Sequence, residues 1–505
     1  MKDRKEISAM KKSLRLICLV LAIALSVACL AGCGEEATSS NQDATSSNVE
    51  SKKETDKFDD YTDNELPDYD LGGVTLLVAS GFEDILFPDE EANELAARRK
   101  KWIDDCKTQY NFELEHVYYA WDKMTDTLMP DLISGEYVAD FVLPVIRQAG
   151  PFIQARLCYD LASGDFAKYL DFTKPWWDRT MTKASTIAGK TYCCTPQFTS
   201  AANTTWVCFF NRSLMEELEV DPDSIYDMQE NGTWTWDKFR ELSKKAVKDL
   251  NADGNMDHND RWGFTSARWH IFNNFVTVAG LDYVIEKDNK FVYNLNNSEA
   301  ITALTTMNEI FTSDNIYWAG EAGAAGDNPG MLGMFSADKA LFMLYSVDAC
   351  QRPQIREMES DFGMVLTPKY KEGSEYISRA EQTTKCLFVP VTAQYKLETA
   401  FAVQALSYNA WKIGVPDIME LNFAQYVRDD GSEYCIYEVF NHTTFTVDQL
   451  LFAVGVETTW LNIINTNLST PCTQQPGADM SGAVQTISTQ VQTLLNEFYG
   501  QATES

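Results

Sequence analysis

The spacing of apolar and polar positions after residue 70 predicts alternating strands and helices. Continuous apolar runs at 74–79 (VTLLVA) and 140–145 (DFVLPV) predict strands that are buried on both faces. Strict alternation predicts a strand at 112–118, and apolar residues at helical spacing predict helices at 90–110 and 122–134. The order strand, helix, strand, helix, strand indicates an α/β fold, in which ligands bind beyond the carboxyl ends of the strands.

Apolar patterns typical of strands and of helices continue to the end of the chain. Further strands are predicted at 189–195, 205–210 and 362–369. Helical spacing predicts helices at 237–250, from a capping Ser298 onward, around 397–408 and around 484–498, and the run 335–345 indicates a helix start followed by a buried segment. With 505 residues, 45% of them hydrophobic, the chain can bury two cores of ordinary domain size.

The first 66 residues are predicted to be a targeting segment and a tether, outside the folded part of the chain. Six Lys and Arg residues precede an apolar run at 16–30, which ends in Leu-Ala-Gly-Cys33. That ending resembles a bacterial lipobox, so we predict a signal peptide at 1–32 and lipid on Cys33. A plain secretory signal or an uncleaved anchor is the alternative. Residues 33–66 are predicted to form a disordered tether, because they are polar and contain A-T-S-S-N twice.

Charge and cysteine usage narrow the classes of partner. The formal net charge of −32 argues against binding nucleic acid or anionic lipid by charge. Nine of the twelve cysteines follow Cys33 at irregular spacing without a C-x-x-C pair, so we interpret most of them as small buried apolar residues.

Catalytic motifs are lacking in the sequence, and we predict that the protein is not an enzyme. The four histidines form no H-E-x-x-H pair, and G-x-S-x-G, G-x-x-x-x-G-K-[ST] and G-x-G-x-x-G do not occur. The 74 acidic residues are too many for counting alone to exclude a glycosidase pair of carboxylates.

Residues 249–260 (DLNADGNMDHND) have the spacing of a calcium loop. Oxygen-bearing side chains occupy positions 1, 3, 5, 9 and 12, and Gly254 occupies position 6, where such a loop turns sharply. Position 12 is Asp rather than the usual bidentate Glu, so weak binding is expected. An acidic, solvated turn is the alternative interpretation. The predicted Ca²⁺ ligands are Asp249, Asn251, Asp253, Asn255, Asp257 and Asp260.

Six motifs follow one another in an order shared with a known family. They are D-F-V-L at 140–143, F-F-N-R at 209–212, W-T-W-D-K-F at 234–239, W-G-F at 262–264, F-S-A-D-K-A-L-F at 335–342 and F-G-M-V-L-T-P-K at 362–369. In this order the chain resembles the bacterial extracellular solute-binding lipoproteins of carbohydrate ABC importers, the maltose-binding-protein-like group. Two departures are Asp338, where the family often has Gly, and Leu366-Thr367, where it usually has a Pro before Pro-Lys.

The resemblance implies a two-lobed periplasmic-binding-protein-like fold of type II, with discontinuous lobes joined by a hinge. One lobe is expected to comprise 67–200 with 366–425. The other is expected to comprise 201–365 with 426–505 and to carry the calcium loop, which would be structural. Ligand would bind in the cleft and favour a closed form.

Candidate ligand contacts come from the strand ends and from the family's contact positions. Sugar rings stack their C–H faces on aromatic side chains, and their hydroxyls need charged or amide partners. For the aromatic candidates core packing is the alternative role, and for the arginines it is a surface ion pair. The candidates are Trp121, Arg147, Gln148, Trp206, Trp269, Tyr345 and Arg379. Trp234 and Trp236 are interpreted instead as packing around a helix start.

The combined prediction is a monomeric lipoprotein on the extracellular face of the cell membrane. It would capture a carbohydrate, an oligosaccharide in this interpretation, and present it to the permease of an ABC importer. A surface glycan-capture or adhesion lipoprotein without a transporter, and a glycoside hydrolase, are the alternatives.

Overall fold

A computed structural model describes residues 66–318, 329–423, 425–455 and 458–503, apart from the side chains of residues 201, 202, 269, 422 and 423. The predicted signal peptide, the lipidated Cys33 and the tether up to residue 65 lie outside this range. The order of the strands and helices confirms the α/β class and the predicted elements in most places.

The first sheet has three parallel strands in the order β2-β1-β3. They are β1 (Val74–Ser80), β2 (Phe112–Tyr118) and β3 (Phe141–Leu143). Ser80, the last residue of β1, pairs with the last residues of both neighbours, so the three carboxyl ends meet at one edge. β3 is shorter than the predicted 140–145, because Pro144 has no N–H to continue the ladder.

The second sheet has five strands in the order β10-β7-β11-β6-β12. They are β6 (Trp206–Asn211), β7 (Trp262–Ser266), β10 (Ile316–Trp318), β11 (Ala340–Ser346) and β12 (Phe362–Leu366). β10, β7 and β11 run parallel, whereas β6 is antiparallel to β11 and β12. Because Trp206 pairs with Ser346, the start of β6 lies at the same edge as the end of β11.

Short strand pairs and helices complete the fold. The two-residue and three-residue strands are β4 (Thr186–Ile187), β5 (Lys190–Thr191), β8 (Val284–Glu286), β9 (Phe291–Tyr293), β13 (Ser378–Arg379) and β14 (Thr443–Thr444). The α-helices are α1 (Glu83–Leu86), α2 (Glu94–Tyr110), α3 (Met124–Ile133), α4 (Ile146–Gln154), α5 (Arg179–Ala184), α6 (Arg212–Glu217), α7 (Ser224–Glu230), α8 (Trp236–Ala246), α9 (Arg268–Val278), α10 (Ser298–Phe311), α11 (Met331–Ser336), α12 (Pro353–Arg356), α13 (Lys396–Asn409), α14 (Val415–Ile418), α15 (Asp430–His442), α16 (Asp448–Leu451), α17 (Trp460–Ile464), α18 (Thr470–Gln474) and α19 (Met480–Thr503).

Three predicted elements differ from the structure in detail. The strand expected at 189–195 is reduced to β5, because Cys194 pairs with Leu387 as an isolated bridge rather than in a ladder. Asn297, not Ser298, caps α10: its side chain accepts a hydrogen bond from the Ala300 amide at 3.0 Å. The helix expected at 237–250 ends at Ala246.

The core confirms the interpretation of the tryptophans and the cysteines. Trp234 and Trp236 are fully buried around the start of α8. Trp234 donates its indole N–H to the Leu366 carbonyl at 2.9 Å, and Trp236 stacks on Phe275 with ring centroids 4.7 Å apart. All nine cysteines of the described residues are buried and unpaired.

Candidate functional site

The carboxyl edge of the first sheet holds a pair of stacked aromatic rings. The ring of Phe82, just after β1, lies 6.4 Å from that of Trp121, just after β2, with an angle of 28° between the planes. Gly81 makes this approach possible, because a Cβ there would lie 2.5 Å from the Trp121 amide nitrogen and 2.6 Å from the Tyr119 carbonyl oxygen. Trp121 is 39% exposed, so part of this pair faces solvent.

The start of α4 fixes Trp121 from the β3 side. Gln148 is 7% exposed and donates its side-chain amide to the Trp121 carbonyl. Its side-chain oxygen accepts a hydrogen bond from the Val145 amide at 3.3 Å. The Arg147 guanidinium lies 5.5 Å from the centroid of the Trp121 ring, within cation–π range. Gln148 therefore positions the backbone at Trp121, and Arg147 covers its ring.

A returning segment brings a second cation to the same edge. Residues 382–386 run antiparallel to the end of β3, with the Ile146 amide bonded to the Thr384 carbonyl at 2.8 Å and the Cys386 amide to the Pro144 carbonyl at 3.0 Å. This pairing places Lys385 Nζ 4.7 Å from the centroid of the Phe82 ring. We call Phe82, Trp121, Arg147 and Lys385 the cationic wall. Partial burial lowers the pKa of both Arg147 and Lys385.

The second sheet contributes a buried cluster around Glu381. One oxygen of Glu381 accepts a hydrogen bond from the Trp206 indole and lies 2.8 Å from Nδ1 of His270. The Trp206 ring packs edge-on against Tyr345 with centroids 5.7 Å apart. We call Trp206, His270, Tyr345 and Glu381 the Glu381 cluster.

The electrostatics of the Glu381 cluster keep the carboxylate charged. Burial by itself raises the pKa of Glu381, but the neighbouring His270 and the hydrogen bonds from His270 and Trp206 hold it below its usual range. Its other oxygen, Oε2, is buried and has no hydrogen-bond partner within the described residues. The carboxylate therefore retains capacity for one more donor.

The cationic wall and the Glu381 cluster are joined by the segment that follows β13. The Arg147 amide donates to the carbonyl of Gln382, the residue after Glu381, at 3.2 Å, and the Glu381 amide donates to the Thr204 carbonyl at 2.9 Å. The charge of Glu381 also acts on Arg147, raising its pKa against the effect of burial. Side chains from the edges of both sheets thus meet around residues 381–385.

Five of the predicted ligand contacts form two groups, and Trp269 and Arg379 stand outside both. Trp121, Arg147 and Gln148 come together at the first sheet, and Trp206 and Tyr345 come together at the second, where they are 1% and 8% exposed. The backbone of residue 269 lies in α9, but the structure does not describe its side chain, so Trp269 stays a predicted ligand contact.

Arg379 has a different environment from the other candidates. It is 2% exposed and donates to Asp448 at 2.7 Å, to Thr277 at 2.8 Å and to Thr446 at 2.7 Å. The charge of Asp448 raises the pKa of Arg379 despite complete burial. Its hydrogen bonds are made within the protein, which is the arrangement of a structural ion pair.

Four residues of the site are not among the predicted ligand contacts: Phe82, His270, Glu381 and Lys385. Phe82 lies at one of the strand ends where ligand is expected, because it directly follows a predicted buried strand. Glu381 and Lys385 come from an irregular segment with no periodic pattern, so no sequence signal placed them beside the strand ends.

The carboxylates of the 249–260 loop bind backbone amides in this structure. Asp249 accepts from the amides of Ala252 and Gly254 at 2.6 and 2.9 Å, and Asp260 accepts from those of Leu250 and Asp257, both at 2.9 Å. These amides lower the pKa of Asp260. In the described part of the chain no three Asp, Glu, His or Cys side chains are grouped so that they could hold a metal ion. In this structure the carboxylates of the loop are not gathered around one point.

Comparisons with known proteins agree on one family and one fold. Residues 101–405 match the family described as bacterial extracellular solute-binding protein. A search of curated proteins finds no match. No helix in the described ranges has both the length and the apolar character needed to cross a membrane.

Solved structures of low sequence identity share the fold. The cyclic α-maltosyl-1,6-maltose binding protein of Arthrobacter globiformis superposes with a TM-score of 0.57 at 14% identity, covering 84% of this chain and all of that one. UspC of M. tuberculosis gives 0.56 at 15% identity, with the same coverage. The substrate-binding protein Lmo0181 of Listeria monocytogenes, in complex with cycloalternan, gives 0.53 at 14%, covering 83% of this chain and 99% of that one. The two-lobed periplasmic-binding-protein-like fold is thereby confirmed.

Proposed function

Because the chain belongs to the family of bacterial extracellular solute-binding proteins, we propose that it captures an oligosaccharide between its two sheets and delivers it to the permease of an ABC importer. The observation that carries this proposal is the partly exposed ring pair of Phe82 and Trp121 at the carboxyl edge of the first sheet. Two of the similar structures are those of a cyclic α-maltosyl-1,6-maltose binding protein and of a substrate-binding protein in complex with cycloalternan, which supports the same ligand class.

The site residues divide the work of sugar recognition. Trp121 is 39% exposed, and its exposed part offers an apolar surface to the C–H groups of a sugar ring. The guanidinium of Arg147 and the carboxylate of Glu381 supply a donor and an acceptor for hydroxyl groups. Ligand that bridges the cationic wall and the Glu381 cluster stabilises the arrangement in which both are close together, and a permease can recognise that state.

The proposal is tested by thermal unfolding of the purified protein against a panel of saccharides. A ligand present at 100 times its Kd stabilises the folded state by about 2.7 kcal/mol, which is readily visible as a shift in Tm. A shift with one class of saccharide supports the proposal. The absence of a shift with every saccharide, together with a shift for a peptide or another solute, overturns the carbohydrate assignment.

A matched pair of variants localises the ligand. Trp121→Ala is expected to weaken saccharide binding by about tenfold through loss of stacking. Tyr437→Ala removes an aromatic residue of similar exposure, 41% against 39%, from α15, and is expected to leave the affinity unchanged. Equal affinities for the two variants would place the ligand elsewhere. Incubation with polysaccharides is expected to release no reducing sugar, which separates binding from hydrolysis.

The cellular location is a second part of the proposal. The ending Leu-Ala-Gly-Cys33 resembles a lipobox, which supports a protein held on the extracellular face of the membrane through lipid on Cys33 alone. We also propose that the protein is a monomer. Radiolabelled palmitate supplied to the producing bacterium is expected to enter the wild-type protein and not the Cys33→Ala variant. Equal labelling of both would contradict the anchor.

A structural Ca²⁺ in the 249–260 loop is also proposed, on the ligand spacing and on Gly254, which has a φ of 80° at the turn position. Asp249 accepts one amide hydrogen bond on each carboxylate oxygen, and because each oxygen has a further lone pair, it can keep these amides and still coordinate a metal ion.

A further inference from the structure

Within the described residues, the two cations of the cationic wall have no carboxylate partner, although the chain is rich in acidic residues. The sequence has 74 acidic and 42 basic residues. Elsewhere, the partly buried Arg98 and Arg212 and the fully buried Arg379 each bind a carboxylate at 2.9 Å or less. Arg147 and Lys385 are half-buried, yet neither makes an ion pair or a side-chain hydrogen bond to any described residue. Burial of a charge without a partner is costly, so their placement needs another explanation.

The nearest acidic residues are already engaged elsewhere or stay at a distance. Glu381 binds Trp206 and His270 through one oxygen. Asp348, which acts on Lys385 only through its charge, accepts from Ser346 and from Arg352 at 3.2 Å. Asp84 also acts on Lys385 without forming an ion pair. The wall therefore presents two cations whose N–H donors are unused inside the described protein.

Aromatic contacts hold these cations but do not satisfy them. Arg147 lies over Trp121, and Lys385 lies over Phe82, with the two rings stacked on each other. A cation–π contact orients the charge and leaves the N–H groups free, five on a guanidinium and three on an ammonium. Arg147, Trp121, Phe82 and Lys385 therefore form a continuous row, in which each aromatic ring lies beside a cation that has no ionic partner among the described residues.

We propose that the oligosaccharide is acidic, and that carboxylate or sulfate groups on its sugar residues accept hydrogen bonds from Arg147 and Lys385 while its sugar rings pack against the exposed parts of Trp121 and Phe82. This inference rests on the proposed function and specifies its ligand class. A planar carboxylate or a sulfate fits a guanidinium fork, and anionic acceptors make stronger and shorter bonds than hydroxyl groups. Discrimination follows from the same geometry: a neutral sugar offers the two partly desolvated cations only hydroxyl groups, which make weaker hydrogen bonds than anionic acceptors.

The test is isothermal titration calorimetry of the purified protein with acidic saccharides and their neutral counterparts. The carboxylate arm uses trigalacturonate against its methyl ester and sialyllactose against lactose. The sulfate arm uses sulfated against unsulfated chondroitin disaccharide. At least one acidic member is expected to bind tenfold or more tightly than its neutral counterpart, and raised NaCl is expected to weaken that binding because it screens the charges.

Substitutions in the cationic wall test whether Arg147 and Lys385 cause the preference for acidic saccharides. Arg147→Gln and Lys385→Met are each expected to weaken binding of the acidic ligand by about ten- to a hundredfold, and binding of the neutral counterpart by a smaller factor. Lys396→Met is the matched control, because Lys396 Nζ likewise lies over a ring, 4.5 Å from the centroid of Tyr159, at the start of α13. Its affinity is expected to equal that of the wild type. The Tm of each variant establishes that it is folded.

The outcomes distinguish this inference from the function on which it rests. Tighter binding of a neutral saccharide, unaffected by Arg147→Gln and Lys385→Met, overturns the acidic ligand and leaves carbohydrate capture standing. Failure of every saccharide, acidic or neutral, overturns both. An acidic preference that survives both substitutions overturns the assignment to the cationic wall.

Discussion

Arg147 and Arg379 were both predicted to contact ligand, and the structure gives them opposite surroundings. Arg379 is 2% exposed and saturated by Asp448, Thr277 and Thr446. Arg147 is half-buried, covers the ring of Trp121 and lacks an ionic partner among the described residues. A cation whose partners are supplied by the fold holds the fold together, whereas one left without partners at a strand edge is placed to receive them from a ligand.

The largest effect is expected at Arg379, where removal of one partner leaves a buried charge. Arg379→Met should lower the free energy of unfolding by about 3–5 kcal/mol, because Asp448 would then be an uncompensated buried carboxylate. Urea unfolding measures this loss. The double variant Arg379→Met/Asp448→Leu should recover much of it, since it removes both charges. A variant with unchanged stability and weakened saccharide binding would instead restore Arg379 as a ligand contact.

The carboxylates of the 249–260 loop pose the same question, because they bind either Ca²⁺ or only the backbone amides of the loop. If Asp249 coordinates Ca²⁺ while keeping its amide donors, Ca²⁺ at 100 times its Kd should stabilise the protein by about 2.7 kcal/mol, and a chelator should reverse the shift in Tm. Asp253→Asn should abolish the Ca²⁺-dependent shift with little effect on the metal-free protein. Identical melting with Ca²⁺ and with chelator, and no Ca²⁺ in elemental analysis, would make the loop an acidic turn held by its own amides.

Gly81 tests how far the cationic wall depends on backbone packing. Gly81→Ala places a Cβ within 2.6 Å of two backbone atoms of residues 119–121, so it should cost about 1–3 kcal/mol and weaken ligand binding by displacing Trp121. Gly500→Ala is the control, because nothing lies within 4 Å of its added Cβ in α19 and Ala favours helix. Stability and affinity are read from urea unfolding and calorimetry. A normal affinity in Gly81→Ala would detach Trp121 from the site.

A smaller effect is expected from the charge of Glu381. Its folded-state pKa lies below that of the unfolded chain, so it stabilises the fold above the unfolded pKa, and this contribution is lost as pH falls through the folded pKa. Between pH 7 and pH 3 the Tm of Glu381→Gln should therefore fall less steeply than that of the wild type. Glu372→Gln, at an exposed position, should follow the wild type. Parallel curves for all three proteins would show that Glu381 does not contribute to acid sensitivity.

The sequence predicted the site residues that lie at the ends of regular strands, but not those that lie in an irregular segment. Strands β1 and β2 are seen where apolar runs and alternation placed them, and their ends carry Trp121 as expected. Lys385 and Glu381 could not be placed, because their segment reaches the site through single bridges such as Val145 with Lys385. Arg379 was assigned from its order in the chain, which does not show that Asp448, 69 residues later, pairs with it.

The smallest effect on stability is expected at Arg147, and it completes the contrast with Arg379. Arg147→Gln gives up a cation–π contact but also removes a partly desolvated charge, so the free energy of unfolding should change by no more than about 0.5 kcal/mol. Urea unfolding of Arg147→Gln and Arg379→Met side by side measures the difference directly. A loss at Arg147 as large as that at Arg379 would mean that Arg147 has a structural partner. In that case the cationic wall would be part of the scaffold and not a surface that receives ligand.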